Sequence, residues 1–393
     1  MKQIVTGKSL VLFHTELDTI NLFSEQMRAR FLQMGYEIFD FDTSDTAKSL
    51  GLLYEYQKTH VVTAMIAFNS RVFGAKTKSG VNIWETLQIP SVNILLDHPY
   101  WYYEILKETP RNGAVLCVDR NHMQYVNRFF PHIAVNGFLP HGGTVLGQLR
   151  PIAERSIDVL YAGSLYAYDA DNVRRSLSGF RFDASKICDE VIDILMTDPS
   201  QTIEATIEQV MLQKGIELSD EELLAFFSRS VYIERVIGSY YREKIVSSVA
   251  KSGVPLTIFG RGWEQCEWVR RDNVQYGGLI SAKEALAKVR DCKILLNSMP
   301  WFKDGSHERM FNGMLNGAVV ATDDSDYFLE TIPYDDYIHL DLTDVCVGDE
   351  ISETLTKQER LCETAENAYN YAIKEHTWAH RADELHRDLL QFL

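Results

Sequence analysis

Short apolar runs rich in β-branched residues recur along this chain, and helical patterns separate them. In the first 140 residues such runs fall at 10–14, 37–41, 61–68, 92–96, 114–118 and 133–138, with amphipathic stretches at 22–34, 47–58, 80–87 and 122–130 between them. Nearly continuous apolar runs suit strands buried on both faces of a parallel sheet, and parallel neighbours need a crossover helix. Gly35 stands where a helix ending at 34 would place its C′ glycine. After Pro140-His141-Gly142-Gly143 and a less regular stretch to Pro151, the alternation restarts with a run at 157–162. Further strands are expected at 256–259, 293–297 and 318–322, with helices at 281–290 and 306–316. The expected fold is α/β: two Rossmann-like doubly wound domains, the second interrupted by a helical insertion at about 171–246. The insertion holds an acidic cluster, Glu217, Asp220, Glu221 and Glu222, that reads as a solvated helix surface. The tail reads as helical at 351–375 and 378–391.

Composition narrows the function. With 39 Lys and Arg against 55 Asp and Glu, the formal charge is −16. That balance argues against a dedicated nucleic-acid binder while leaving room for a local cationic pocket that takes a phosphate. No run of 18 apolar residues predicts a membrane span, and Met1 to Lys8 lack the long apolar stretch of a signal peptide. Six cysteines are scattered without a CxxC pair, the usage of reduced thiols in a cytoplasmic protein. Without HExxH, CxxC or a tight Asp/Glu/His cluster, no metal site is expected. The absence of GxGxxG and of a P-loop argues against NAD enzymes and P-loop ATPases, and the absence of GxSxG against an α/β-hydrolase.

The most informative stretch runs from Asn297 to Val320 and reads strand, loop, helix, glycine, strand. Met310, Phe311, Met314 and Leu315 recur at helical spacing and should face the sheet, while Arg309, Asn312 and Asn316 share another stripe. Lys303, Asp304, Gly305 and Ser306 precede the first helical turn. A helix start at the carboxyl end of a parallel strand offers free N–H groups and partial positive charge, to which Lys303 and Arg309 would add charge-assisted bonds to a diphosphate. The alternative is an ordinary loop with surface charges. Gly260-Arg261-Gly262 after the strand at 256–259, and Gly163-Ser164 after the strand at 157–162, are each a phosphate loop or a tight turn. All three loops would lie at the carboxyl edge of one sheet, where open α/β sheets bind ligands. In the first half, Asp97-His98-Pro99 occupies the corresponding edge, and Asp97 or His98 could serve as general base toward an acceptor hydroxyl, or Asp97 could simply cap a turn. His14, Glu16 and Asn69 lie at similar edges.

Asn297 through Thr322, ending in Gly317-Ala-Val-Val-Ala-Thr-Asp323, resembles the donor-binding motif of group-1 glycosyltransferases of the GT-B fold, most closely the branch of CgeB-like spore-maturation proteins. Leu96-Asp-His-Pro99, Asp119-Arg-Asn-His122 and Phe138-Leu-Pro-His-Gly-Gly143 are similar to the N-terminal half of that branch, and His376-Thr-Trp378-Ala-His-Arg381-Ala to its C-terminal signature. The resemblance implies an acceptor-side domain at 1–150, a nucleotide-sugar-binding domain at 151–375, and a terminal helix at 376–393 that packs back toward the first domain. It implies a hexosyltransferase-type enzyme that moves a sugar from a nucleoside-diphosphate sugar to a hydroxyl or similar nucleophile, with no cofactor and no metal. Gly163, Ser164, Gly260 and Arg261 would line the diphosphate; Lys303, Ser306, His307 and Arg309 would face phosphates or sugar. Asn312 stands where the family carries a glutamate for ribose hydroxyls, so that grip loses its charge assistance. Alternatives on the same architecture are an epimerase or phosphorylase, or a non-catalytic nucleotide-sugar-binding module. The acceptor is a protein, a glycan or a small molecule, with no nucleic acid or membrane span among the partners. The insertion binds the acceptor, mediates a homodimer or caps a sheet edge.

Overall fold

A computed structural model describes residues 7–69, 71–166, 177–344 and 346–393. The chain forms two compact units, one of Met1–Thr144 with Glu375–Leu393, the other of Val145–Lys374.

The first unit is built on β1 (Lys8–His14), β2 (Glu37–Asp42), β3 (Val61–Phe68), β4 (Ser91–Leu95), β5 (Gly113–Cys117) and β6 (Val135–Phe138), in the order β2-β1-β3-β4-β5-β6. Every pairing is parallel. Alternate side chains go to opposite faces: Leu10, Leu12, Ala64 and Ile66 join one core, Val11, Phe13, Met65 and Ala67 the other. The two-sided burial is the reason these strands read as unbroken apolar runs. The terminal helix Trp378–Asp388 completes the first core, burying Trp378, Ala382 and Leu385 among Phe23, Met27 and Phe31 of helix Asp18–Gln33. Trp378 packs against Phe23 at 4.5 Å between ring centroids. Gly142 cannot be larger, because a Cβ there would lie 2.7 Å from the Trp378 nitrogen. Arg381, fully buried, donates from Nε to the His141 carbonyl and from Nη2 to His376 Nδ1 at 2.9 Å. Burial first, and then the Arg381 charge, push the His376 imidazole down to about 3, so it is neutral.

The second unit holds β7 (Ile157–Ala162), β8 (Leu256–Phe259), β9 (Val274–Tyr276), β10 (Cys292–Leu296), β11 (Val319–Thr322) and β12 (Ile338–His339), again all parallel, in the order β12-β11-β10-β7-β8-β9. Read from the other edge, this is the order of a dinucleotide-binding Rossmann sheet, with its switch point between β7 and β10. The two doubly wound α/β units are the two Rossmann-like domains of the GT-B fold class.

Between β7 and β8 come helices Ala184–Thr197, Ile203–Gln213, Asp220–Arg229 and Tyr232–Ser252. The expected insertion begins at 171–176, which lies outside the described residues. Its expected end at 246 falls inside the last of these helices, which continues to Ser252, turns at Gly253 (φ +86°) and leads to β8. That helix is the crossover that two parallel neighbours require. Glu217, Asp220, Glu221 and Glu222 are exposed, and Glu222 closes a capping box with Ser219. Among the described residues no helix is long and apolar enough to cross a membrane.

Candidate functional site

Two parallel loops meet at the carboxyl edge of β7 and β8. Gly163 N–H donates to the Phe259 carbonyl at 2.9 Å, Leu165 N–H to the Arg261 carbonyl at 2.8 Å, and Arg261 N–H to Ser164 Oγ at 3.1 Å. Gly260 adopts φ +129°, and a Cβ on it would fall 2.3 Å from the Gly163 carbonyl oxygen; Gly262, at φ +88°, faces Leu165 O at 2.0 Å in the same way. Both glycines are there because two backbones touch. The structure therefore brings Gly163, Ser164, Gly260 and Arg261 into one cluster, with the Arg261 side chain exposed.

Across the switch point, the segment after β10 supplies the charge. The helix expected from 306 spans Glu308–Leu315, with His307 at the N-cap position. Met310, Phe311, Met314 and Leu315 are all buried, as their spacing requires, and Gly317 ends the helix at φ +72°. Arg309 projects from the first turn. Its Nη1 donates to Asn297 Oδ1 at 2.8 Å, and its guanidinium lies 5.7 Å from the centroid of the Tyr161 ring. A Cβ on Gly163 would lie 3.3 Å from both Arg309 Nη2 and the Tyr161 hydroxyl. Gly163 thus packs closely against a hydroxyl and a cation, where a side chain would crowd both. Among the described residues no carboxylate approaches Arg309 within 4.0 Å.

His307 is held beside that cation, with Nδ1 2.6 Å from Glu308 Oε2 and Nε2 3.4 Å from Arg309 Nη2. His307 Nδ1 also accepts from the Arg309 backbone N–H at 3.2 Å, which makes the ring the cap of helix Glu308–Leu315. Burial, reinforced by the Arg309 charge, holds the imidazole below its ordinary pKa against the opposing pull of Glu308.

Other expected residues fall differently. Ser306 is fully buried just before the helix, and neither its Oγ nor that of buried Ser298 has a hydrogen-bond partner; the Tyr161 hydroxyl is likewise buried and unpartnered. Lys303 turns its ammonium to the Pro199 carbonyl, within the segment between β7 and β8, rather than toward Arg309. Asn312 is buried, and its carbonyl accepts from Asn316 Nδ2 at 2.8 Å. Asp323 follows β11; burial raises its pKa to about 6, against the stabilising bond from Met299 N–H at 2.8 Å. Among the described residues no group of three or more His, Cys, Asp or Glu is placed to hold a metal ion.

Sequence reasoning missed Arg242. It lies on the crossover helix, four residues after Gly238, whose absent Cβ would stand 3.1 Å from the Trp301 ring. The Arg242 guanidinium sits 5.5 Å over that ring and donates from Nη1 to the Ser164 carbonyl, while its buried Nε has no partner. Its pKa is lowered, first by burial and also by the charge of Arg309. A cation on a long, largely buried helix carries no spacing signal that would have singled it out.

In the first unit Asp97 and His98 follow β4 but differ in setting. Asp97 is exposed, and its Oδ2 accepts from Asn69 Nδ2 at 2.9 Å and from the Tyr102 hydroxyl at 2.8 Å. Asn69 takes φ +46° at the end of β3, and its Oδ1 accepts from Leu96 N–H at 2.8 Å, tying the two strand ends together. His98 is buried, stacked on Tyr100 at 3.7 Å, with Nδ1 accepting from the Tyr100 N–H at 3.2 Å and its ring 4.4 Å from that of His122.

A family model described as glycosyl transferase-like matches residues 242–387. No curated protein matches the chain in sequence. Among solved structures, the chain is similar to a sucrose-phosphate synthase from Thermosynechococcus elongatus, with a TM-score of 0.55 and 11% identity over 98% of this chain and 100% of that one. An α-glucosyltransferase solved with UDP-glucose and DNA containing an abasic site gives 0.53 and 11% over 98% and 99%. Anabaena HepE, solved with UDP and glucose, gives 0.50 and 8% over 98% and 100%. At such identities the likeness is one of fold, and the fold is GT-B.

Proposed function

We propose that this chain is a glycosyltransferase that moves a sugar from a nucleoside-diphosphate sugar to an acceptor nucleophile. The observation that carries the reading is the Arg309 guanidinium, which among the described residues stands without a carboxylate partner and lies against Gly163 at the switch point of a Rossmann sheet. Half-shielded positive charge at that edge suits a diphosphate. The glycosyl transferase-like match over 242–387 agrees with it, as do two fold neighbours, one solved with UDP and glucose and one with UDP-glucose.

In the proposed reaction the bond between the sugar C1 and the β-phosphate oxygen breaks, and a bond from C1 to the acceptor oxygen forms. Negative charge grows on the leaving diphosphate, and the Arg309 guanidinium, with the positive end of the dipole of helix Glu308–Leu315 behind it, meets it. No protein-held metal is needed in this scheme. Neutral His307 positions Arg309 and can donate no charge of its own. For acceptor activation Asp97 suits better than His98. Its carboxylate is exposed and oriented by two donors, whereas the His98 Nδ1 lone pair is committed to a backbone N–H. The acceptor proton goes to Asp97 as the new bond forms. A chain of charge −16 favours a glycan, protein or small-molecule acceptor over a polyanion.

The test is calorimetric titration of UDP, GDP, dTDP and UDP-glucose into wild type and Arg309→Ala. Binding of one nucleoside diphosphate that the variant loses supports the reading; no nucleotide affinity in wild type overturns it. Donor that stays intact with a broad acceptor panel would instead identify a binding module, and isomerised donor in the absence of acceptor an epimerase.

A further inference from the structure

We infer that Arg242, on the crossover helix Tyr232–Ser252, is a second phosphate-binding guanidinium of the donor pocket, so that a helix outside the donor motif forms one wall of it. The inference rests on the nucleotide-sugar reading above and adds a residue to it. Three observations meet at one place. The Arg242 Nη1 bonds the carbonyl of Ser164, the residue after Gly163, and Gly163 in turn lies against Arg309 Nη2 and the Tyr161 hydroxyl. Arg242 is more than nine-tenths buried, yet its Nε has no acceptor, and among the described residues no carboxylate lies within 4.0 Å of it. The Tyr161 hydroxyl is also buried without a partner.

Burying a cation is costly unless a counter-charge accompanies it, and placing a second cation within electrostatic reach raises that cost. A single backbone carbonyl does not offset it. Two guanidiniums and a phenol hydroxyl, all short of acceptors, suit a ligand that brings several anionic oxygens. Two linked phosphates can engage both forks at once, while one phosphate satisfies only one of them. Trp301, which packs on Gly238, lies 5.5 Å from the Arg242 guanidinium and supplies an aromatic face but no acceptor for it. The reading predicts a pocket selective for diphosphate over monophosphate.

The experiment titrates UDP, UMP and inorganic pyrophosphate into wild type, Arg242→Gln and Arg242→Lys by calorimetry, with thermal unfolding of each protein alone and with pyrophosphate. We expect Arg242→Gln to weaken UDP and pyrophosphate about 10–100-fold, in line with one lost charge-assisted contact pair. UMP should weaken much less, Arg242→Lys should fall between, and the ligand-free melting temperature should stay level or rise. A variant that binds UDP and pyrophosphate within about twofold of wild type while melting earlier overturns the inference, because Arg242 then only props up the Ser164 loop. If Arg242→Gln does not fold, the wild-type tryptophan fluorescence change on adding pyrophosphate, and its loss in Trp301→Phe, decides; an unchanged response in that variant counts against the inference. Nucleotide binding that ignores Arg242 leaves the glycosyltransferase reading standing. Pyrophosphate binding that needs Arg242, with no affinity for any nucleotide, keeps the anion site and removes that reading.

Discussion

Arg309 is tethered to the sheet through Asn297: Nη1 donates to Asn297 Oδ1 at 2.8 Å, and Asn297 Nδ2 donates to Thr322 Oγ1 at 3.0 Å. The amide orients the guanidinium without neutralising it. Arg309→Ala should weaken nucleoside-diphosphate binding about 10–100-fold, and Asn297→Ala by several-fold only, since the charge remains. Asn297→Asp is the sharper probe. It sets a carboxylate against Arg309, so it should raise the melting temperature and weaken binding more than the alanine does. Calorimetry alongside thermal unfolding checks both. Binding unharmed in Asn297→Asp would mean that the free charge of Arg309 is not what the ligand uses.

The Gly260 contact with the Gly163 carbonyl sets a stability prediction. Gly260→Ala combines φ +129° with a Cβ 2.3 Å from backbone oxygen, which cannot swing away. The expected cost is about 2–4 kcal/mol, read from urea unfolding of the second unit. Gly278→Ala makes the control: it shares the positive φ, +69°, but nothing lies within 4 Å, so it should cost only about 1 kcal/mol. Equal effects would show that strain alone, and not the close approach of β7 and β8 loops, governs the site.

How far such features could be read from sequence depended on their range. The expected strands at 61–68, 157–162 and 256–259 coincide with β3, β7 and β8, because strands buried on both faces leave a continuous apolar record. Strands β9 and β12 left none: three and two residues at sheet edges are too short for a pattern. The buried face of helix Glu308–Leu315 was legible from its spacing. The direction of Lys303 was not, since Pro199, its acceptor, lies 104 positions away. Arg242 shows the same limit. Its value comes from Ser164 and Trp301, which the fold brings to it, and nothing local marks it among the cations of a long helix.

Asp323 should make stability depend on pH. Its pKa in the folded chain, about 6, lies above the ordinary carboxylate value because burial disfavours the charge. Such a group contributes stability fully below about pH 4, and that contribution is lost as pH rises through about 6. Asp323→Asn keeps an oxygen for the Met299 N–H and never ionises. It should therefore be more stable than wild type at pH 7.5, by up to about 3 kcal/mol, with the gap closing below pH 4. Urea midpoints of both proteins at pH 7.5 and pH 4 decide. A gap of the same size at both would show that ionisation of Asp323 plays no part.

Asp97 carries the last prediction. Its Oδ2 accepts from Asn69 and Tyr102, and both donors would also meet the oxygen of an amide, so Asp97→Asn preserves the local geometry and removes the proposed base. Transfer to an acceptor should fall about 100-fold or more, within the range that a general base supplies, while nucleoside-diphosphate affinity stays within about twofold. Tyr102→Phe removes one of the two donors and leaves the carboxylate held by Asn69, so it should lower transfer by several-fold only. Transfer rates and calorimetric affinities of both variants check the pair. Transfer in Asp97→Asn within about twofold of wild type would mean that another group takes the acceptor proton.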